Sequence, residues 1–249
     1  MVCKISVEFC CVASPNRIHF TFSPEIARQC DVTVQCLSEE LEAQGRKLSI
    51  KVFYETHCPD SQHFIVDVLY GKLWQNARLR DMAAVEFVPW GKAQRESDGT
   101  VSCHHGKKEC IAGRLTACVL DELEGEEETK VEFVACFENL LRDRYTVWLA
   151  SEICFRELDV RDDYRRRIRV CFSGAAGLLL QQRFETTTAQ LTPDPMTFVP
   201  WISVNGVSLD SMQQFQTIIH RMVCAWYREK GHDPAKDCFH CDVEPSSCE

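Results

Sequence analysis

The residues best suited to chemistry in this sequence are Cys58 and its neighbours in the stretch His57-Cys58-Pro59-Asp60-Ser61. A thiol attacks a disulfide only as its thiolate, and the unpaired N–H groups of a helix N-terminus favour negative charge there. Cys58 follows an alternating apolar run and precedes an apolar-periodic segment, which predicts a place between a strand and a helix. Cys58 is therefore a candidate nucleophile, and His57 is a candidate activator as a cation at acidic pH.

Ser61 limits what Cys58 could do, because it stands where a second cysteine would be expected. Two-cysteine enzymes attack with the first thiol and resolve the mixed disulfide with the second. A serine cannot resolve it, so an external thiol would have to release the substrate. The alternative interpretation is that Cys58 is one half of a structural disulfide. With sixteen cysteines, a free Cys58 leaves fifteen, which cannot all pair within one chain.

The elements that would position Cys58 begin with a strand at Leu48–Glu55. An amphipathic helix should follow, ending near residues 71–75, and a second strand is predicted over Met82–Gly91. A strand, a helix and a strand in this order indicate a right-handed βαβ unit with parallel strands.

A polar, cysteine-rich insert is predicted over about residues 92–189. It contains helical segments around Val131–Ile153 and Asp162–Phe184, and the acidic stretch Asp121–Lys130 is expected to be a solvated turn between helices. The arginine-rich stretch Arg161–Arg169 is either an anionic-ligand patch or a solvated helix face, and the charge pattern favours the helix face.

The remaining elements are a strand over Phe198–Val207 entered through Pro200, a hairpin turn at Asn205-Gly206, and a closing helix over Ser211–Gly231. The whole order predicts an α/β protein: a thioredoxin-like fold with an α-helical, disulfide-rich insertion. We divide the chain into a cysteine-bearing N-terminal extension (1–46), this domain (47–231) and a cysteine-bearing C-terminal tail (232–249).

Composition narrows the functional class. A net charge of −9 argues against nucleic-acid binding. The sequence contains no run of about 18 apolar residues, so it predicts no membrane-spanning helix. Sixteen cysteines indicate an oxidising compartment in which most of them form disulfides. Glu8 interrupts the apolar patch near the N-terminus, so no signal peptide is evident.

The stretch from Cys103 to Cys118 carries a long motif. It resembles the signature of the gamma-interferon-inducible lysosomal thiol reductase (GILT) family: Cys-Gln-His-Gly, two residues, Glu-Cys, two residues, Asn, four residues, Cys. His104 replaces the glutamine and Gly113 replaces the asparagine. The matching residues are Cys103, His105, Gly106, Glu109, Cys110 and Cys118.

The resemblance covers roughly residues 48–226 and implies a thioredoxin-like fold with a helical insertion. It also implies residence in the secretory or endolysosomal lumen and reduction of protein disulfides at acidic pH. By the same resemblance, Pro200 would be the cis-proline opposite the active-site cysteine, although base rates alone favour an ordinary trans proline at a strand start. The signature cysteines are expected to serve structure.

Zinc is the alternative use of these cysteines. Cys103, His104, His105 and Cys110 could bind it, as could Cys238 and Cys241 with His240 in the tail. Neither group has the two matched ligand pairs of a structural zinc site, so we predict disulfides, with no metal and no cofactor.

Two functions remain open. The chain could be a binding protein that keeps the fold, has weak or lost reductase activity and acts on a protein partner. Alternatively, it could be a monothiol reductase of disulfide-bonded protein substrates that uses Cys58. A leftover cysteine would also permit a disulfide-linked dimer.

Overall fold

The computed structural model describes residues 47–229 of the protein, and their side chains as far as residue 224. The predicted N-terminal extension, the C-terminal tail with its candidate zinc residues, and the helix end at Gly231 lie outside the described residues.

A four-stranded sheet with helices around it confirms the α/β class. Its strands lie in the order β2-β1-β5-β6, and β5 pairs antiparallel with both β1 and β6. A separate two-stranded hairpin, which the sequence did not predict, pairs β3 with β4. The strands are β1 (Leu48–Phe53), β2 (Ala83–Val88), β3 (Gln94–Arg95), β4 (Val101–Ser102), β5 (Trp201–Val204) and β6 (Val207–Ser208).

The helical connection predicted between β1 and β2 is present. It consists of helix α1 (Pro59–His63), a π-helical segment (Phe64–Trp74) and helix α2 (Ala77–Met82). Apolar periodicity identified the buried face of this connection, but it does not distinguish a π-helix from an α-helix. The side chain of Asn76 caps α2 by accepting hydrogen bonds from the backbone of the first turn.

The insert contains five helices where the sequence predicted two helical segments. Thr146 caps a new helix inside the first segment, and Gly174 separates two helices inside the second. The helix carrying the signature motif was not among the predicted helical segments, and the acidic stretch contains a shorter turn than predicted, residues 123–126, between the first two helices. The helices are α3 (Lys107–Glu122), α4 (Glu127–Arg142), α5 (Val147–Glu157), α6 (Asp162–Ser173) and α7 (Ala175–Ala189).

Three disulfides hold this insert together. Cys103–Cys110 closes the loop that leads into α3, Cys118–Cys171 joins α3 to α6, and Cys136–Cys154 joins α4 to α5. Between α4 and α5 a stack of phenylalanine rings fills the core, with Phe133 centred 5.4 Å from Phe137 and 5.1 Å from Phe155. Covalent links and aromatic packing therefore stabilise the same helices.

The arginine-rich stretch forms a solvated face of α6. Arg167 pairs with Glu122 at 2.6 Å, and Arg169 pairs with Glu152 at 2.6 Å. These ion pairs link α6 to α3 and α5. Of the two interpretations of this stretch, they agree with a solvated helix face.

The described residues divide into two compact units. One comprises residues 49–75 and 85–217 and contains the insert and most of the sheet. The other comprises residues 47–48, 76–84 and 218–229, in which α2 packs against the last helix, α8 (Ile219–Glu229). The segment predicted as one closing helix is 3-10 helical over Asp210–Ile218 and α-helical only afterwards. Within residues 47–229, no helix has the length and apolar content needed to cross a bilayer.

Candidate active site

Cys58 lies in the turn between β1 and α1, immediately before the first helical residue, Pro59. Its backbone N–H donates to the carbonyl of Glu55 at 3.1 Å, and its carbonyl accepts from Gln62 at 3.0 Å. Cys58 is 7% exposed, and among residues 47–229 it is the one cysteine recorded with a free thiol. Six of the other described cysteines form the three disulfides of the insert, and Cys224 is also disulfide-bonded.

Ser61 lies one helical turn after Cys58 and is completely buried. Its hydroxyl oxygen accepts a hydrogen bond from the backbone N–H of Glu55 at 3.4 Å. The serine thus supports the turn through its hydroxyl group, which has no redox chemistry.

Glu55 connects this turn to the signature motif, and the sequence analysis did not identify it. Its side chain is fully buried. One carboxylate oxygen, Oε1, accepts from the backbone N–H of Lys92 at 3.0 Å. The other, Oε2, lies 3.2 Å from His104 Nδ1 and 3.1 Å from His105 Nε2. The signal in the sequence was a carboxylate at the end of a predicted strand, but its partners are about fifty residues away and no local pattern indicates them.

Glu109 provides a second buried carboxyl group at the same place. Its Oε2 accepts from the backbone N–H of His105 at 3.0 Å, which ties the start of α3 to the signature loop. Its Oε1 is buried and has no hydrogen-bond partner within the described residues. Burial and the nearby negative charge of Glu55 raise the pKa of Glu109 to about 7.

Two further hydrogen bonds join the Cys58 turn to its surroundings through Thr56. The Thr56 hydroxyl donates to the carbonyl of Glu109 at 3.3 Å, and the side-chain amide of Gln62 donates to the carbonyl of Thr56 at 3.1 Å. A cavity of about 10 Å³, room for about one water molecule, is lined by Glu55, Thr56, Glu109 and the Cys103–Cys110 disulfide. The structure therefore brings the Cys58 turn and the first half of the signature into one site.

His57 lies beside this site and is half-buried. Burial lowers its pKa, and the positive charges of His105 and Lys108 lower it further. The cationic form expected of an activator is therefore disfavoured in this environment. His57 would therefore take up a proton only at a lower pH than an ordinary imidazole, and its role as an activator of Cys58 stays a prediction.

Pro200 directly precedes β5, and the Val199–Pro200 peptide bond is cis. In the register of the sheet, Trp201 pairs with Phe53, the last residue of β1. Pro200 therefore lies at the end of the sheet from which the chain continues to Cys58. Its role in shaping a substrate groove stays a prediction.

The other residues of the signature stretch contribute to the local structure of α3. Gly106 precedes α3 with φ of 81°, a left-handed conformation that favours glycine. Cys118 is buried in its disulfide with Cys171, about two helical turns after Cys110 along α3. A Cβ atom at Gly113 would lie 3.0 Å from the carbonyl oxygen of Pro89, a close contact that would require a shift of a few tenths of an ångström.

A layer of buried polar groups lies behind the site. Glu138 on α4 is completely buried, and neither of its carboxyl oxygens has a hydrogen-bond partner in the described part of the chain. Burial raises the pKa of Glu138 well above its usual value, and the charge of Glu109 acts in the same direction. Burial also raises the pKa of Tyr54, with a further contribution from Glu138. Burial therefore favours the neutral form of the Glu138 carboxyl group over its carboxylate, against a smaller opposing effect of the nearby Gln62 side chain.

Comparison with known proteins places this site in context. Residues 49–158, which include the Cys58 turn and the whole signature, match the family model described as gamma interferon inducible lysosomal thiol reductase (GILT). Over 243 residues the chain is 30% identical to a gamma-interferon-inducible lysosomal thiol reductase of Carassius auratus, an alignment that covers 94% of this chain and 89% of that protein. It is 29% identical to a gamma-interferon-responsive lysosomal thiol protein of Arabidopsis thaliana, over 74% of this chain and 72% of the relative. It is also 28% identical to GILT-like protein 1 of Drosophila melanogaster, over 64% and 66% respectively.

Proposed function

Because the chain belongs to the gamma-interferon-inducible lysosomal thiol reductase family, we propose that it acts on disulfide-containing proteins mainly by binding them, with reductase turnover that is weak or lost. The observation that carries this proposal is Ser61, whose buried hydroxyl occupies the resolving position and is hydrogen-bonded to the backbone of Glu55. We place the protein in the secretory or endolysosomal lumen. The disulfides of the insert and the word "lysosomal" in the names of two relatives support that location.

The order of strands and helices supports a thioredoxin-like core for this function. The sheet order β2-β1-β5-β6 keeps β1 and β5 adjacent, with Cys58 after one strand and Pro200 before the other. The five-helix insert lies between β2 and β5 in the chain. Such a core would present Cys58 and Pro200 together to an extended segment of a bound protein.

Exposed apolar side chains on the insert helices support a role in protein binding. The Trp148 ring on α5 packs edge-to-face against Phe172 on α6, with centroids 4.8 Å apart, yet Trp148 remains 45% exposed. Apolar side chains that stay exposed on neighbouring helices are typical of interaction surfaces. The exposed large apolar side chains on α5, α6 and α7 are Trp148, Leu149, Val170, Leu178 and Leu179.

The second candidate function is a monothiol reductase, which the free thiol of Cys58 favours. The Cys58 thiolate would attack one sulfur of a protein disulfide, forming a mixed disulfide and expelling the other sulfur as a thiolate that takes up a proton. A low-molecular-weight thiol would then attack the mixed disulfide, releasing the substrate thiol and leaving its own sulfur bonded to Cys58. A second such thiol would regenerate Cys58 and leave as a small-molecule disulfide.

Restoring the missing thiol tests the proposal. We expect Ser61→Cys to reduce insulin at about pH 5, in the presence of a small thiol, at least about tenfold faster than the wild type. Ser61→Ala is the matched control, because it removes the hydrogen bond to Glu55 without adding a thiol, and it should stay at the wild-type rate.

A wild-type rate that exceeds the rate of the reagent alone and equals that of Ser61→Cys would contradict weak turnover. If that rate then disappears in Cys58→Ser, the monothiol reductase is the correct function. A wild-type rate at the level of the reagent alone supports the binding role.

A further inference from the structure

Glu55, His104 and His105 form a compact cluster of metal-ligating side chains. Each contributes one ligand atom, and these atoms all lie within 4.8 Å of one another. The two imidazole rings lie side by side, with centroids 4.7 Å apart, and one nitrogen of each approaches the same carboxylate oxygen. Two imidazoles and one carboxylate are a ligand set that divalent transition metals accept.

The distances within the cluster suit a single small cation. Two ligand atoms bound about 2.05 Å from a tetrahedral zinc ion lie about 3.3 Å from each other. The observed separations of Glu55 Oε2 from the two imidazole nitrogens are 3.2 and 3.1 Å. The ligand nitrogens of the two histidines lie within 4.8 Å of each other, so the imidazole rings would have to move closer together to bind the ion at the same time.

The carboxylate at the centre of the cluster is held in place independently of the histidines. The backbone N–H of Lys92 donates to its other oxygen, and Gly91 lies so close that an added Cβ atom would overlap the Glu55 side chain. Hydrogen bonds that fix a ligand from outside in this way orient it for the metal.

Glu109 adds an independent observation: it is a second buried carboxyl group at this site, and one of its oxygens lacks a partner among the described residues. Its side chain is only 4% exposed, its Oε2 lies 4.0 Å from His105 Nε2, and its Oε1 has no hydrogen-bond partner within residues 47–229. Two buried carboxyl groups therefore adjoin a pair of imidazoles, and a divalent cation would offset their mutual repulsion.

We propose that Glu55, His104 and His105 form a binding site for a divalent transition-metal cation of the zinc type, with the Glu109 carboxyl group completing the charge balance. The side chains of His104 and His105 are 56% and 30% exposed, which gives the cation a route from solvent. This set differs from the zinc site considered from sequence, whose thiols Cys103 and Cys110 are bonded to each other.

The test is a calorimetric titration of the full oxidised chain with Zn²⁺ at about pH 7, because imidazole binds metal in its neutral form. We expect one site, and we expect His104→Gln to weaken it by at least about tenfold, since losing a ligand costs no less than losing one of its supporting partners. The same titration with Co²⁺, followed by visible absorption, should show the wild-type spectrum lost in His104→Gln. Glutamine is also the residue of the family signature at this position, so the variant is expected to fold.

His63→Gln is the matched control, because His63 pairs with Asp67 on the surface and lies outside the cluster. Equal Zn²⁺ affinity in the wild type and His104→Gln, or equal losses in His104→Gln and His63→Gln, would overturn the proposal. Loss of the site in Cys58→Ser would overturn it too, since the ion would then be bound by the thiol. The site does not depend on the proposed function, and none of these results measures disulfide reduction.

Discussion

At the scale of single residues, Glu55 and Ser61 determine the surroundings of Cys58. Glu55 contacts both halves of the site, through its backbone to Cys58 and Ser61 and through its carboxylate to His104 and His105. Ser61 keeps the turn intact but removes the second redox atom. The turn that carries Cys58 is therefore held by hydrogen bonds to Glu55, and Ser61 contributes a hydroxyl group but no second thiol.

The buried carboxyl group of Glu138 provides a residue-scale prediction about pH. Because its pKa in the folded state is raised above the usual 4.5, the folded protein keeps this proton after the unfolded chain has lost it. Its contribution to stability is therefore greatest below about pH 4.5 and declines as the pH rises. We expect Glu138→Gln to raise the free energy of unfolding at about pH 7 and to change it little at about pH 4.

Urea unfolding of both proteins at the two pH values measures this difference. Glu132→Gln, on the same helix but only partly buried, is the control and should behave alike at both. Destabilisation by Glu138→Gln at about pH 7 would show instead that the carboxylate is ionised and stabilised in the folded protein.

At the scale of elements, close packing of α7 against α3 and α6 positions the signature helix. Gly177 on α7 lies so close to its neighbours that a Cβ atom would come within 2.8 Å of the Cys171 carbonyl oxygen and 3.1 Å of the Arg114 side chain. Arg114 also donates to Gln181 at 3.0 Å, and Gln181 in turn donates to the carbonyl of Cys110 at 3.4 Å. The packing of α7 thus reaches the disulfide loop of the site.

We expect Gly177→Ala to destabilise the protein by about 1–3 kcal/mol, the usual cost of forcing extra volume into a packed contact. Gly71→Ala is the matched control, because its Cβ atom would lie 3.4 Å from the nearest carbonyl oxygen, an ordinary contact. Gly71→Ala should instead stabilise the protein by about 0.5–1 kcal/mol, because alanine lowers the conformational entropy of the unfolded chain. Thermal unfolding monitored by circular dichroism distinguishes the two, and equal effects of both substitutions would refute the close approach at Gly177.

The sequence pattern predicted these elements unevenly. Alternating apolar and polar residues, bounded by Pro89, Pro200 and Asn205-Gly206, were local signals. They identified β1, β2, β5 and the β5–β6 turn. Helix α3 was not among the predicted helical segments, and its packing against α6 and α7 is a tertiary contact that no local pattern indicates. The role of Glu55 could not be predicted, because it depends on the tertiary contact between the end of β1 and the signature loop.

At the scale of the whole molecule, the cysteines separate into two roles. Six of those in the described part of the chain form the three disulfides of the helical insert. Such disulfides stabilise the folded protein by restricting the unfolded chain. Cys58 is kept unpaired at the end of the sheet. A disulfide-linked dimer stays a prediction, since it depends on the pairing of cysteines outside the described residues.

The most direct test of this account is thiol mapping of the unreduced protein. Alkylation at about pH 5 and about pH 7, followed by peptide mass spectrometry, reports which cysteines carry a free thiol. We predict that Cys58 is alkylated, while Cys103–Cys110, Cys118–Cys171 and Cys136–Cys154 are recovered as linked peptides. Recovery of Cys58 in a disulfide with another cysteine of the chain would contradict the account, because no thiol would then remain at the site.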